Sequence, residues 1–123
     1  MTTPADGPPL RLVVADNDAA VIDLLALDLR LEGHEIVTTA ADGVAAIQAC
    51  AEVDPDVLIV DLKMGAGPDG IEVARQVRRP GRRVILHTNY VSATIVKAAE
   101  AAGAVVIEKG SLRALRRAVR GEE

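Results

Sequence analysis

Four polar positions stand directly behind apolar runs in this chain. Asp16, followed by Asn17 and Asp18, closes "LRLVVA"; Asp61 closes "DVLIV"; Thr88 closes "RVILH"; and Lys109 closes "AVVIE". Carboxylates crowded together repel, and a divalent cation with oxygen ligands relieves that repulsion, which suits Mg²⁺. Phosphoryl transfer needs positive charge around the equatorial oxygens of the moving group, from a metal ion and a lysine, and an attacking oxygen in line with the leaving group. A central aspartate can be that oxygen and become an aspartyl phosphate. Asp61 is the central carboxylate of the set, Thr88 can bond one phosphate oxygen, and Lys109 can pair with another. This chemistry exists only if the fold brings the four positions to one place.

The elements that must do so are legible. Five short runs rich in β-branched residues, 10–15, 35–39, 56–60, 83–87 and 104–108, read as strands. Most are continuously apolar, which predicts burial on both faces. Helical patterns lie between them. The first runs from about Ala19 to Glu32, with Val21, Leu24, Leu25 and Leu29 on one face and Gly33 able to cap its end. The second follows Asp42 and carries Val44, Ile47 and Cys50; the third spans Asp69 to Arg79 and is stopped by "RRPG". The fourth starts at Ser92 and ends at Gly103, and the last starts at Ser111 with Leu112, Leu115 and Val119 inward.

Strand and helix in strict alternation predict an α/β fold: a doubly wound, five-stranded parallel sheet with helices on both faces. Ligands of such sheets sit outside the carboxyl ends of the strands. In the flavodoxin-like order 2-1-3-4-5, the second strand, which ends in the plain "TTAADG", is an edge. The other four ends then converge.

Composition narrows the class. The 123 residues, half of them hydrophobic, suit one domain over residues 10–121, with "MTTPADGPP" (1–9) as a disordered lead-in lacking the features of a signal peptide. A formal charge of -4 gives no general reason to bind nucleic acid or an anionic membrane. No apolar run is long enough to span a bilayer, and a single cysteine, Cys50, fits a reducing cytoplasm. His34 and His87 have no partner at ligand spacing and read as structural. The arginines of "RQVRRPGRR" fall at the far end of the fourth strand and read as solvated surface.

The ordered pieces "VVADND", "DVLIVDLKM", "DGIEVARQVR", "VILHT" and "AGAVVIEKG" resemble the response-regulator receiver domain of two-component signalling, over Leu10 to about Arg120. The resemblance implies that Asp16 belongs to an acidic pair holding Mg²⁺, with Asn17 at the second position of the pair. Asp61 matches the phospho-acceptor, Thr88 the switch hydroxyl and Lys109 the phosphate-contacting lysine; the backbone carbonyl of Lys63 matches a metal ligand. It implies a domain that takes phosphate from a histidine kinase or phosphotransfer protein and later hydrolyses its own acyl phosphate, a signalling device more than a turnover enzyme. The resemblance also implies that Lys63 and Tyr90, two residues beyond Asp61 and Thr88, stand at positions flanking the path of attacking water. The chain departs from the family pattern at Asn17, at Gly65 and the longer loop before Asp69, at Gly110, and at Val106 where an aromatic is common.

The leading expectation is a stand-alone receiver. It signals to a downstream protein through its fourth helix, fifth strand and fifth helix, where Arg113, Arg116, Arg117 and Arg120 can steer an acidic partner, and where a homodimer is possible. The alternative is a degenerate receiver that binds partners without phosphate. A phosphatase of the haloacid dehalogenase kind, with Asp16 as nucleophile in "ADNDAAV", lacks a cap and a later acidic metal motif.

Overall fold

The computed structural model describes residues 7–122; residues 1–6 of the expected lead-in lie outside the described residues, and residues 7–9 are exposed. Ten elements alternate: β1 (Arg11–Ala15), α1 (Ala19–Leu31), β2 (Glu35–Ala40), α2 (Gly43–Val53), β3 (Val57–Val60), α3 (Gly70–Val77), β4 (Arg83–Thr88), α4 (Ala93–Ala101), β5 (Ala104–Glu108) and α5 (Leu112–Val119). The five strands form one parallel sheet in the order β2-β1-β3-β4-β5. The expected topology is therefore the one found.

Successive strand residues point to opposite faces, so the sheet feeds two cores. Leu12, Val14, Ile59 and Ile85 pack with Leu25 and Leu29 of α1 and Leu115 and Val119 of α5. On the other face Val13, Leu58, Val60 and Leu86 pack with residues of α2, α3 and α4, among them Ala46, Val73 and Ala99. All four residues of β3 are buried, as its unbroken apolar run requires. Each helix begins with a side-chain cap. Asp18, Asp42, Asp69, Ser92 and Ser111 accept from the backbone N–H of Ala20, Ala45, Glu72, Ile95 and Ala114 respectively. A cap of this kind contributes about 1 kcal/mol.

Three expectations need correction. Leu24 and Val44, read as inward, are 51% and 60% exposed. At 100° per residue the buried stripe of α1 is already filled by Leu25, Ala26 and Leu29, and Leu24 falls outside it. The third helix ends at Val77; Arg78 is extended, two residues before Pro80.

The arginine run is solvated surface only in part: Arg75 and Arg78 are exposed, but the other three are bound. Arg79 and Arg82 both bind Asp54 and the carbonyl of Pro55, Arg82 also donates to the carbonyl of Val77, and Arg83 donates to that of Val119. Asp54 ends α2 in the left-handed region (φ 48°), and the Arg79 and Arg82 guanidinium groups gather around its carboxylate and the next carbonyl. They tie together the end of the sheet remote from Asp61. On α5, Arg116 forms a two-pronged pair with the buried Asp28 of α1, and Arg120 donates to the carbonyl of Glu32. Two of the four arginines expected to meet a partner are thus turned onto α1.

Candidate functional site

The four strand ends meet. Asp16 and Asp61 are 2% and 6% exposed and Thr88 is fully buried. The Lys109 ammonium lies 2.8 Å from Oδ2 of Asp61 and 2.8 Å from Oδ2 of Asp16. The parallel pairing that sets β1 beside β3, β3 beside β4 and β4 beside β5 accounts for this, since Asp16, Asp61 and Lys109 sit one step past their strands and Thr88 ends its own. The Lys109 N–H donates to the Thr88 carbonyl at 3.0 Å, and the Asp61 N–H to that of Ala15 at 3.1 Å, so the pairing continues into the site.

The remaining carboxylate oxygens are fixed by backbone. Oδ1 of Asp61 accepts from the N–H of Leu62 at 2.6 Å, and Oδ1 of Asp16 from that of Asp18 at 2.9 Å. One ammonium thus serves two buried carboxylates. Burial opposes the charge on Lys109, but the hydrogen bonds it donates to Asp16 and Asp61, and their negative charge, outweigh it and hold its pKa above the ordinary lysine range. Close approach is also needed behind Asp61. A Cβ on Gly70, the first residue of α3, would stand 2.3 Å from the Asp61 carbonyl oxygen and 2.5 Å from Leu86 Cδ1, so only glycine fits there.

Thr88 Oγ1 accepts from the N–H of Tyr90 at 3.1 Å. Lys63 and Tyr90 are both exposed, and the Lys63 ammonium lies 4.2 Å from the centroid of the Tyr90 ring. This cation–π contact bridges the loop after β3 and the loop after β4. Both residues were legible from their spacing; their contact was not. Asn17 is exposed and stands outside the lysine-bridged cluster. His87 is buried on β4, and burial, with the charge of Lys109, keeps its imidazole below the ordinary histidine range against the opposing pull of Asp16 and Asp61. Together with Val21, Leu24, Leu25, Lys109 and Leu112 it lines a largely apolar cleft between α1 and the start of α5.

Among the described residues no three His, Cys, Asp or Glu side chains converge as a metal cage. The donors at hand are two carboxylates that share one positive charge, and backbone carbonyls. Such a set leaves net negative charge and suits a hard cation that keeps several of its waters, so the residues fit Mg²⁺.

Comparison with known proteins agrees with this geometry. The family model of the response regulator receiver domain matches residues 12–120, and the chain belongs to that family. It is accordingly a receiver domain of two-component signalling. It is 37% identical over 107 residues to the transcriptional regulatory protein PdtaR of Mycobacterium tuberculosis, covering 85% of this chain and 51% of PdtaR. The signal receiver domain of NarL from the same organism is 30% identical with a TM-score of 0.83, covering 94% of this chain and 99% of that domain. CheY in the CheX-CheY-BeF3-Mg complex from Borrelia burgdorferi is 26% identical with a TM-score of 0.84, covering 94% and 90%. The chain spans 28% to 51% of the length of three curated mycobacterial regulators that it matches. No helix among the described residues is long and apolar enough to cross a membrane.

Proposed function

We propose that Asp61 accepts a phosphoryl group from a histidine kinase or phosphotransfer protein in the cytoplasm, and that the phosphorylated domain signals through a protein partner. The observation that carries this reading is the single Lys109 ammonium bridging Asp16 and Asp61 at 2.8 Å each. The bridge is a cation already placed beside the nucleophile. An oxygen of Asp61 attacks phosphorus, a P–O bond forms, and the bond to the donor's imidazole nitrogen breaks, returning the electron pair to that ring. Leu62 N–H holds Oδ1 through its hydrogen bond, so the carboxylate does not rotate freely. Lys109 then pairs with a phosphoryl oxygen. Thr88, whose Oγ1 already accepts from Tyr90 N–H, retains its hydroxyl hydrogen to donate to another. Asp16, Asn17, Asp61 and the Lys63 carbonyl would hold Mg²⁺, which when bound would supply further positive charge there; the BeF3 and Mg of the CheY complex support this assignment.

Hydrolysis of the acyl phosphate needs water to reach phosphorus. The Lys63–Tyr90 contact spans the two loops that border this approach, which supports a slowly decaying signal. The output face is α4, β5 and α5, where Val105, Val106 and Ile107 are half-buried and Arg113 and Arg117 exposed. The presence of Asp16, Asp61, Thr88 and Lys109 in one cluster weighs against a degenerate receiver.

Incubation with acetyl phosphate and Mg²⁺ tests the proposal. Wild type is expected to gain the mass of one phosphoryl group and Asp61→Asn none. Equal labelling of the two refutes Asp61 as acceptor, and an unlabelled wild type establishes the degenerate reading.

A further inference from the structure

The end of the sheet remote from Asp61 holds a cavity that the phosphoryl chemistry does not use. It measures about 450 Å³ and lies where α2 and α3 end, with Ile47, Cys50, Ala51 and Val77 along its apolar side. Arg78, Arg79 and Arg82 bring three positive charges to it, and Asp54 a single negative one. The Arg82 side chain is 6% exposed, yet the carboxylate that pairs with it is 69% exposed and shares one oxygen, Oδ1, with Arg79. Two guanidinium groups thus draw on one carboxylate oxygen, and a buried charge short of counter-charge is costly. Arg78 is exposed and forms no hydrogen bond or ion pair among the described residues. A guanidinium carries five N–H groups. Arg79 and Arg82 each spend three of them, on Asp54 and on the carbonyls of Pro55, Val77 and Pro80, so donors remain on all three arginines.

We propose that this cavity binds an organic phosphate monoester, with the free N–H groups of the three arginines on the phosphate and Ile47, Ala51 and Val77 against the body of the molecule. The excess of positive charge selects an anion. Guanidinium groups match phosphate oxygens in pairs, and three of them suit a dianion better than a carboxylate. The volume selects an ester over bare phosphate, because small-molecule pockets run from about 300 to 1,000 Å³ and an inorganic ion would leave the apolar wall idle. Helix C-termini oppose an anion, but the carbonyls here are already engaged. That of Val77 accepts from Arg82, and that of Cys50 from the N–H of Asp54. The positive field reaches the apolar side too: burial pushes the Cys50 thiol pKa up, while the charges of Arg82 and Arg79 pull against it.

A bound ester supplies the missing counter-charge through donors that are free, so no contact of the fold has to break. The site is separate from the phospho-acceptor, because Pro55 and Asp61 flank β3 at its opposite ends, and it needs neither Mg²⁺ nor phosphorylation. A ligand held by the folded form alone also raises the melting temperature as its concentration rises.

Calorimetric titration of the whole chain in chelator tests it, with phenyl phosphate, adenosine monophosphate and inorganic phosphate as probes and circular dichroism to confirm folding. Wild type is expected to bind at least one ester with a Kd below about 1 mM, and about tenfold or more tighter than inorganic phosphate. Arg78→Gln, which removes no contact of the fold, should weaken the ester by about tenfold or more, the worth of a hydrogen bond to a charged group. Ala51→Glu, at an exposed position on the cavity wall, should abolish binding, and Asp61→Asn should bind as wild type does. Esters that fail to bind overturn the inference and leave the arginines a structural clasp. Esters that bind no better than inorganic phosphate also overturn it, as an adventitious ion only. So does binding that survives Arg78→Gln or Ala51→Glu unchanged, or that Asp61→Asn removes. Acetyl phosphate labelling of the same proteins reads Asp61 independently, so failure of one proposal does not mimic failure of the other.

Discussion

Replacing Lys109 by methionine keeps most of the side-chain volume and removes the charge. Asp16 and Asp61 would then stay buried with no counter-ion. Each Oδ2 lies 2.8 Å from the ammonium, so the two oxygens are at most twice that distance apart. At an effective dielectric constant of about 20, two unit charges so placed repel by about 3 kcal/mol. Measured costs of removing one partner from a buried pair run to about 3–5 kcal/mol. The Lys109 side chain is 15% exposed, so some water reaches the site, and the expected loss is about 3 kcal/mol. Urea denaturation in chelator reads it directly. The deficit relative to wild type should shrink on addition of Mg²⁺. A loss under about 1 kcal/mol that ignores metal would refute the idea that this lysine compensates two buried charges.

Three further outcomes follow from other contacts. Nδ1 of His34, buried on the strand-entry side, accepts from the N–H of Leu10 at 3.1 Å, and burial, then Arg120, hold its pKa below the ordinary value. Because the folded value lies below the unfolded one, this stability is complete above about pH 6.5 and lost as pH falls through the folded value. Thermal melts should therefore show a steeper acid decline for wild type than for His34→Gln. Lys63→Ala with Tyr90→Ala should speed loss of phosphate from Asp61, followed by mass spectrometry after removal of donor; an unchanged rate would show that neither side chain screens the site. Asn17→Asp should tighten Mg²⁺ binding by about tenfold or more in calorimetric titration, with a smaller gain when beryllofluoride occupies Asp61, because a mimic's own oxygen-like ligands make up part of the missing charge.

The candidate site residues were legible because each terminates an apolar run, and a parallel sheet converts run endings into neighbours. Asp61 and Lys109 needed only the strand order to become partners. The exposure of Leu24 and Val44 was less accessible, because helical periodicity marks an apolar face without saying how much of it the sheet can cover. The arginine contacts near Asp54 were hidden for another reason. Arg79 and Arg82 bind backbone carbonyls of distant segments, and a carbonyl carries no residue-type signal in the sequence. Asp54 itself looks like any loop acid until its positive φ is known.

Tyr90 is the chain's one tyrosine, and there is no tryptophan or phenylalanine. Its backbone N–H holds Thr88 and its ring faces the Lys63 ammonium, so all the ultraviolet emission of the native protein comes from a ring wired to the site by two contacts. The molecule therefore carries its own optical probe. An event at Asp61 that draws Thr88 inward or shifts Lys63 alters the surroundings of that one fluorophore, and the change is read against a dark background without labelling or mutation.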